Sequence, residues 1–177
     1  MDVKHRISQN IAELTAVYEL LDEAQLAGVM EACEGAERIF FSGMGRSGNM
    51  VKALAIRFMH LGYAAYVAGD AATPSIGAGD LLIAMTSSAK TKVTVNHVEV
   101  AQKNGAKTVL ISAGDENVLA ADWHLCVPAR TRVESRQHAG SLFEQSVLVI
   151  GDALAACIQQ SKAVSTEYMN ARHANLQ

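Results

Sequence analysis

The sequence predicts an α/β protein: a three-layer α/β/α sandwich around a five-stranded, mostly parallel sheet, with helices at the N-terminus. Three observations predict it. Short apolar runs alternate with helical segments of roughly ten to fifteen residues, the pattern of βαβ units with right-handed crossovers. The runs are apolar almost throughout, as strands covered on both faces are. A glycine cluster directly follows the first run and precedes a helix, the position where open parallel sheets bind ligands.

The elements follow in order. Ile7, Ile11, Leu14, Tyr18 and Leu21 recur at three- and four-residue intervals, which gives a helix with one apolar face. Asp22 with Gln25 three residues later is a helix-start signal, so a second short helix should run through Met30 to Cys33. These leading helices have no strand of their own to cover, and subunit contacts are their expected use. Strands are expected at Arg38–Ser42, Ala64–Ala68, Asp80–Met85, Lys107–Ser112 and His124–Val127. Helices are expected at Met50–Leu61, Val93–Asn104 and Leu142–Gln160. The chain reads as a single domain over 1–177: leading helices at 1–35, an α/β core at 36–160 and a C-terminal segment at 161–177.

Composition narrows the function. Half of the 177 residues are hydrophobic and 19% are charged, below the usual share of about 25%. Such a chain folds, and its low charge points to surface buried between subunits. Lys and Arg number 15 against 18 Asp and Glu, a net charge of −3. No basic face suits nucleic acid or a membrane surface. Three widely spaced cysteines, Cys33, Cys126 and Cys157, fit reduced thiols in a cytoplasm better than disulfides or zinc. Cys126 and Cys157 lie in apolar runs and are expected in the core. The start of the chain has no signal-like apolar stretch, and the run Ser146–Ile158 is too short to span a bilayer.

Two loops carry the chemistry. Ser42-Gly43-Met44-Gly45-Arg46-Ser47-Gly48 joins a strand to a helix, where glycines permit a sharp turn and free helix amides suit phosphate. Thr86-Ser87-Ser88-Ala89-Lys90-Thr91 repeats that placement with four hydroxyl donors. Ordinary helix capping explains either loop alone; two on one sheet favour an anion site. Gly43, Gly45 and Gly48 with Asp70 also fit a dinucleotide fingerprint, although the serine in the turn and the hydroxyl-rich second loop suit a phosphate ester.

The loop GMGRSG and the hydroxyl-rich second loop resemble those of the sugar isomerase (SIS) domain. Within it, IRFMHLGYAAYV, PARTR, GSLFEQSVLVIGDAL and the ending YMNARHANLQ resemble the 6-phospho-3-hexuloisomerases, which convert 3-hexulose 6-phosphate to fructose 6-phosphate in the ribulose monophosphate pathway. The resemblance implies a cytoplasmic homotetramer that needs no cofactor and no metal. It implies phosphate ligands Ser47, Ser88 and Thr91, with loop groups of Gly45, Arg46, Thr86, Ser87, Ala89 and Lys90 around them. Arg130 matches a substrate-contacting arginine. Glu144 matches the proposed proton acceptor, and His173 matches an active-site histidine that a neighbouring subunit can supply.

Bland roles compete with these. Glu144 near a helix start also favours the helix dipole, His173 lies close to the chain end, and His138 reads as a loop residue. Asp152 is expected as a buried or interface carboxylate. The second loop departs from the family pattern S-G-S-G-E-T: Ser87 and Ala89 replace glycines, so a positive φ at Ala89 is costly, and Lys90 replaces an acid. Two functions stay open: an isomerase, for 3-hexulose 6-phosphate or another sugar phosphate such as arabinose 5-phosphate, and a non-catalytic module that senses a sugar phosphate.

Overall fold

The computed structural model describes residues 2–176; Gln177, the last residue of the RHANLQ ending, lies outside them. Five strands form one sheet: β1 (Arg38–Ser42), β2 (Ala64–Val67), β3 (Asp80–Met85), β4 (Lys107–Ser112) and β5 (Trp123–Cys126). Their order is β2-β1-β3-β4-β5, and every neighbouring pair is parallel. β1, β3 and β4 coincide with the expected runs residue for residue. The helices are α1 (Val3–Tyr18), α2 (Glu23–Glu34), α3 (Gly45–His60), α4 (Lys92–Lys103), α5 (Ser141–Ser161) and α6 (Thr166–Asn170).

Alternation along each strand sorts the side chains to two faces. Ile39, Phe41, Leu81, Ile83, Val109, Ile111 and Leu125 meet α1, α2, α3 and α5 in the larger core. Phe40, Leu82 and Ala84 face the other way, onto Val98 and Ala101 of α4. The chain leaves β1 through α3 toward β2 and leaves β3 through α4 toward β4, in opposite directions and on opposite faces. The reversal lies between β1 and β3, so α3 and α4 begin side by side at the carboxyl ends of adjacent strands.

The centre of the sheet is pinned at its other end. Arg38 and Asp80 are paired in register. Arg38 Nε donates to Asp80 Oδ1 at 2.7 Å and Nη2 to Oδ2 at 2.6 Å. Gly77 N also donates to Oδ2, at 2.7 Å, so the buried carboxylate is fully engaged.

Several expectations are corrected. α3 begins at Gly45, not Met50, so Arg46 and Ser47 sit in its first turn. The leading helices do have a strand to cover: α2 lies on β5, close enough that a Cβ on Gly28 would come within 2.9 Å of Trp123 Cδ1. Gln25 Oε1 also accepts from Cys126 N of that edge strand, at 2.8 Å. The Asp22 signal holds, since its side chain accepts from Gln25 N at 2.9 Å. Ile7 and Ile11, expected on the packed face of α1, are exposed, because only the C-terminal half of α1 reaches the core. Cys157 is exposed on α5; of the two places expected for Asp152, buried or at an interface, burial within the chain does not hold, since it is exposed and paired with Arg57 at 3.2 Å. α5 is 21 residues long, with a mean hydropathy of 1.5 over an 18-residue stretch, long enough to span a bilayer; its apolar face carries Leu142, Phe143, Val147 and Ile150 of the core instead.

α3 and α5 cross at Gly151. A Cβ there would lie 2.5 Å from both Cδ atoms of Leu54, which is 1% exposed. Overpacking costs about 1–3 kcal/mol, more than the roughly 1 kcal/mol that alanine gains over glycine in a helix. Gly151→Ala should therefore lower the chemical-denaturation stability, and adding Leu54→Ala should recover part of that loss rather than sum with the cost of Leu54→Ala alone.

Three imidazoles are drawn in by the fold, His60 buried and His97 and His124 half-buried. Burial pushes His60, His97 and His124 below the ordinary histidine pKa; His173 and Arg57 add to the effect at His60, and Asp115 opposes it at His124. The unfolded chain therefore takes up more protons as pH falls below about 6.5. Stability should be full above that value and decline beneath it. Urea unfolding at about pH 7.5 and 5.5 should show the drop, and His60→Phe should flatten part of it.

Candidate active site

The six helices begin in two different ways. Asp2, Asp22 and Ser165 cap α1, α2 and α6 with side-chain oxygens. α3, α4 and α5, which all start at the carboxyl end of the sheet, have no side-chain cap. The first bond of α3 runs from Gly48 N to Met44 O at 3.2 Å, and that of α4 from Val95 N to Thr91 O at 2.9 Å. The amides of Gly45, Arg46 and Ser47, and of Lys92, Val93 and Thr94, are left for an outside acceptor. With the helix dipoles behind them, these starts suit an anion.

The first loop is built to bring α3 close. Gly45 has φ +61°, open only to glycine at low cost. A Cβ on Gly48 would lie 2.9 Å from Gly43 O. The fingerprint glycines are thus accounted for by the turn and by helix–strand contact. Asp70 is occupied by Lys52 at 3.6 Å, and both line a cavity of ≈ 320 Å³ with the glycine loop.

Glu144 stands in the first turn of α5 with its side chain 12% exposed, and its Oε2 accepts from Arg46 Nε at 2.5 Å. This ion pair joins two segments 98 residues apart. It ties the expected proton acceptor to the first loop. Arg46 is 65% exposed, so the cation is open to solvent at the start of α3. Arg130 adopts φ +64° and donates from Nη1 to Ala139 O at 2.8 Å; it shapes the approach to α5, one residue before Gly140. His138 is an exposed loop residue whose carbonyl accepts from Ser141 N.

The second loop turns tightly. Thr86 Oγ1 donates to Thr91 Oγ1 at 3.2 Å, so Thr91 holds the loop closed instead of capping α4. Lys90 N donates to Ser88 Oγ at 3.3 Å. Lys90 is exposed and has no ion-pair partner among the described residues. Ser47 is half-buried at the other helix start, its hydroxyl free of partners among the described residues. Ser87, Ser88 and Ala89 face the loop that follows β4.

His173 is not with these groups. Its ring stacks on His60 at the C-terminal end of α3, with centroids 4.1 Å apart. A 16-residue helix separates that stack from the first loop, about 24 Å at 1.5 Å per residue. The expectation that His173 joins Glu144 therefore fails within one chain, because the C-terminal segment packs at the amino ends of the strands.

The sequence reading passed over His97. Its Nδ1 bonds Ser42 Oγ at 2.8 Å, and its ring lines the cavity beside the glycine loop. The available signal was its spacing from Thr94 and Val98, which places it on the inward face of α4. Among the described residues no three His, Cys, Asp or Glu side chains converge to hold a metal ion.

Ala89 does adopt the costly conformation, at φ +51°. The left-handed region costs about 1–2 kcal/mol for an L-residue. Its buried methyl, packed on Leu110 and Ala121, offsets about 0.8 kcal/mol. The narrower unfolded ensemble of alanine offsets about 0.4–1 kcal/mol more. The three nearly cancel, so Ala89→Gly should change unfolding free energy by less than about 1 kcal/mol, as measured by urea titration.

Comparison with known proteins agrees with this architecture. Residues 34–155 match the SIS domain family. A 3-hexulose-6-phosphate isomerase from Mycobacterium gastri is 34% identical, with 99% of this chain and 92% of that protein aligned. Another from Bacillus subtilis (strain 168) is 32% identical over 80% of this chain and 81% of its own. A crystal structure from Methanococcus jannaschii, for which a 3-hexulose-6-phosphate isomerase function was inferred, superposes with a TM-score of 0.83. Its sequence is 29% identical over 97% of both chains. With its sheet order, its paired loops and this similarity along nearly its full length, the chain belongs to the SIS domain family and has 3-hexulose-6-phosphate isomerases among its relatives.

Proposed function

We propose that this protein isomerises 3-hexulose 6-phosphate to fructose 6-phosphate. The observation that carries the reading is a carboxylate, Glu144, held by Arg46 beside two helix starts whose amides are free. The phosphate sits at those starts, bound by amides of the two loops and by the hydroxyls of Ser47, Ser88 and Thr91. Lys90 adds charge at the place where the family pattern has an acid.

The reaction moves a carbonyl from C3 to C2. Glu144 takes the proton from C2, which leaves a 2,3-enediolate, and returns it to C3. The proton on O2 passes to O3 as the carbonyl forms at C2. Arg46 holds the Glu144 carboxylate in place before substrate arrives and faces the enediolate oxygens as charge develops on them. Positioned general-base catalysis of this kind contributes about 10² to 10⁴ in rate. The reaction as proposed draws on side chains alone. In a cytoplasmic homotetramer, His173 would serve a neighbouring subunit's site and not its own.

The test couples fructose 6-phosphate formation to a dehydrogenase readout. Wild-type protein should turn over, and Glu144→Gln should lose at least about 10²-fold in kcat while inorganic phosphate still raises the melting temperature. Unchanged turnover in Glu144→Gln removes that residue from the mechanism. No wild-type turnover, with fructose 6-phosphate still stabilising the fold, identifies a sensing module.

A further inference from the structure

The second loop opens onto a cavity of ≈ 300 Å³ whose near wall is Ser87, Ser88 and Ala89. Its far wall is the turn after β4, with Ser112, Asp115 and Glu116. The two walls differ in charge. The near side carries hydroxyls at the uncapped start of α4, whereas the far side carries carboxylates. Carboxylates repel a phosphate but accept hydrogen bonds from sugar hydroxyls. A sugar phosphate has an anion at one end and a row of hydroxyl donors along the rest. An orientation with the phosphate at the second loop and the carbon chain toward β4 suits both walls.

Asp115 is the group prepared for that contact. Its Oδ1 is held by Arg132 Nη2 at 3.3 Å and accepts from Cys126 Sγ, also at 3.3 Å. Its Oδ2 has no partner among the described residues, and the side chain is 67% exposed. One oxygen is anchored to β5 and to the PARTR segment while the other is left free. Ser112, by contrast, is committed to His124 Nε2 at 2.9 Å and forms a fixed backing to the wall. Arg132, two residues from the arginine that the sequence singles out, is the anchor.

Resting on the isomerase reading, we propose that Asp115 binds hydroxyl groups of the sugar phosphate and selects the length and configuration of the chain that fits. It contributes nothing to the phosphate grip. That separation gives the test its sign.

Binding of fructose 6-phosphate and of inorganic phosphate would be measured by calorimetry on wild type, Asp115→Asn and Asp115→Glu. Asp115→Asn should weaken fructose 6-phosphate by about tenfold, the loss of charge-assisted hydrogen bonds. It should leave inorganic phosphate unchanged or up to about twofold tighter, since a screened negative charge is removed. Asp115→Glu should recover part of the sugar affinity. A merely structural role for Asp115 would weaken both ligands together, and that outcome overturns the proposal. So does equal fructose 6-phosphate affinity in all three proteins while wild type still turns over, which leaves the isomerase reading intact. If wild type binds inorganic phosphate but neither binds fructose 6-phosphate nor turns over, both proposals fall.

Discussion

Backbone amides that start a helix must be satisfied by something, and in this fold three helices, α3, α4 and α5, start without a side-chain cap at one end of the sheet. The chain is able to cap helices: Asp2, Asp22 and Ser165 do so elsewhere. At α3, α4 and α5 the side chains that could cap are absent or turned to other uses, with Thr91 accepting from Thr86. The open amides cost stability in the empty protein, and an anion that binds them repays it. The strand reversal between β1 and β3 brings two of these starts together, and the Arg46–Glu144 pair brings in the third. The glycine turn, the strained Ala89 and the close approach of Gly48 to Gly43 are the local terms on which that convergence is possible.

The sheet was legible because its strands announce themselves. β1, β3 and β4 each hold an unbroken apolar stretch of three to five residues, Ile39–Phe41, Leu81–Met85 and Val109–Ile111, and buried parallel strands lack the polar alternation of half-exposed ones. The start of α3 at Gly45 is hidden in the sequence for a related reason. Glycine and serine look like loop, yet a helix that has no cap to mark it begins among them. α2 could not be assigned to β5 from sequence, since the contact depends on Gly28 admitting Trp123. The two loops and Glu144 could be found because residue type and strand–helix position suffice for them.

The rest of the site depends on residues far apart in the chain. Arg46 and Glu144 are 98 residues apart, and nothing in either neighbourhood announces the other. Ser42 and His97 pair across 55 residues, and Asp115 is held by Arg132 only because β5 runs parallel to β4. His173 shows the converse. Its local sequence is distinctive, but its position is set by where the C-terminal segment packs, on His60 at the amino end of the sheet.

The Arg38–Asp80 pair has a consequence beyond the native contact. Side chains in a strand alternate between faces, so a slip of one residue between β1 and β3 would exchange the two cores. Both strands are so uniformly apolar that hydrophobicity alone discriminates weakly against such a slip. The charged pair does discriminate. In a slipped sheet Arg38 no longer lies opposite Asp80, and a carboxylate that is 2% exposed in the native sheet would be buried beside apolar neighbours. An unpaired buried charge is far more costly than a lost apolar contact. The pair therefore acts most strongly in structures the protein does not adopt, by raising the free energy of misaligned sheets above the native one.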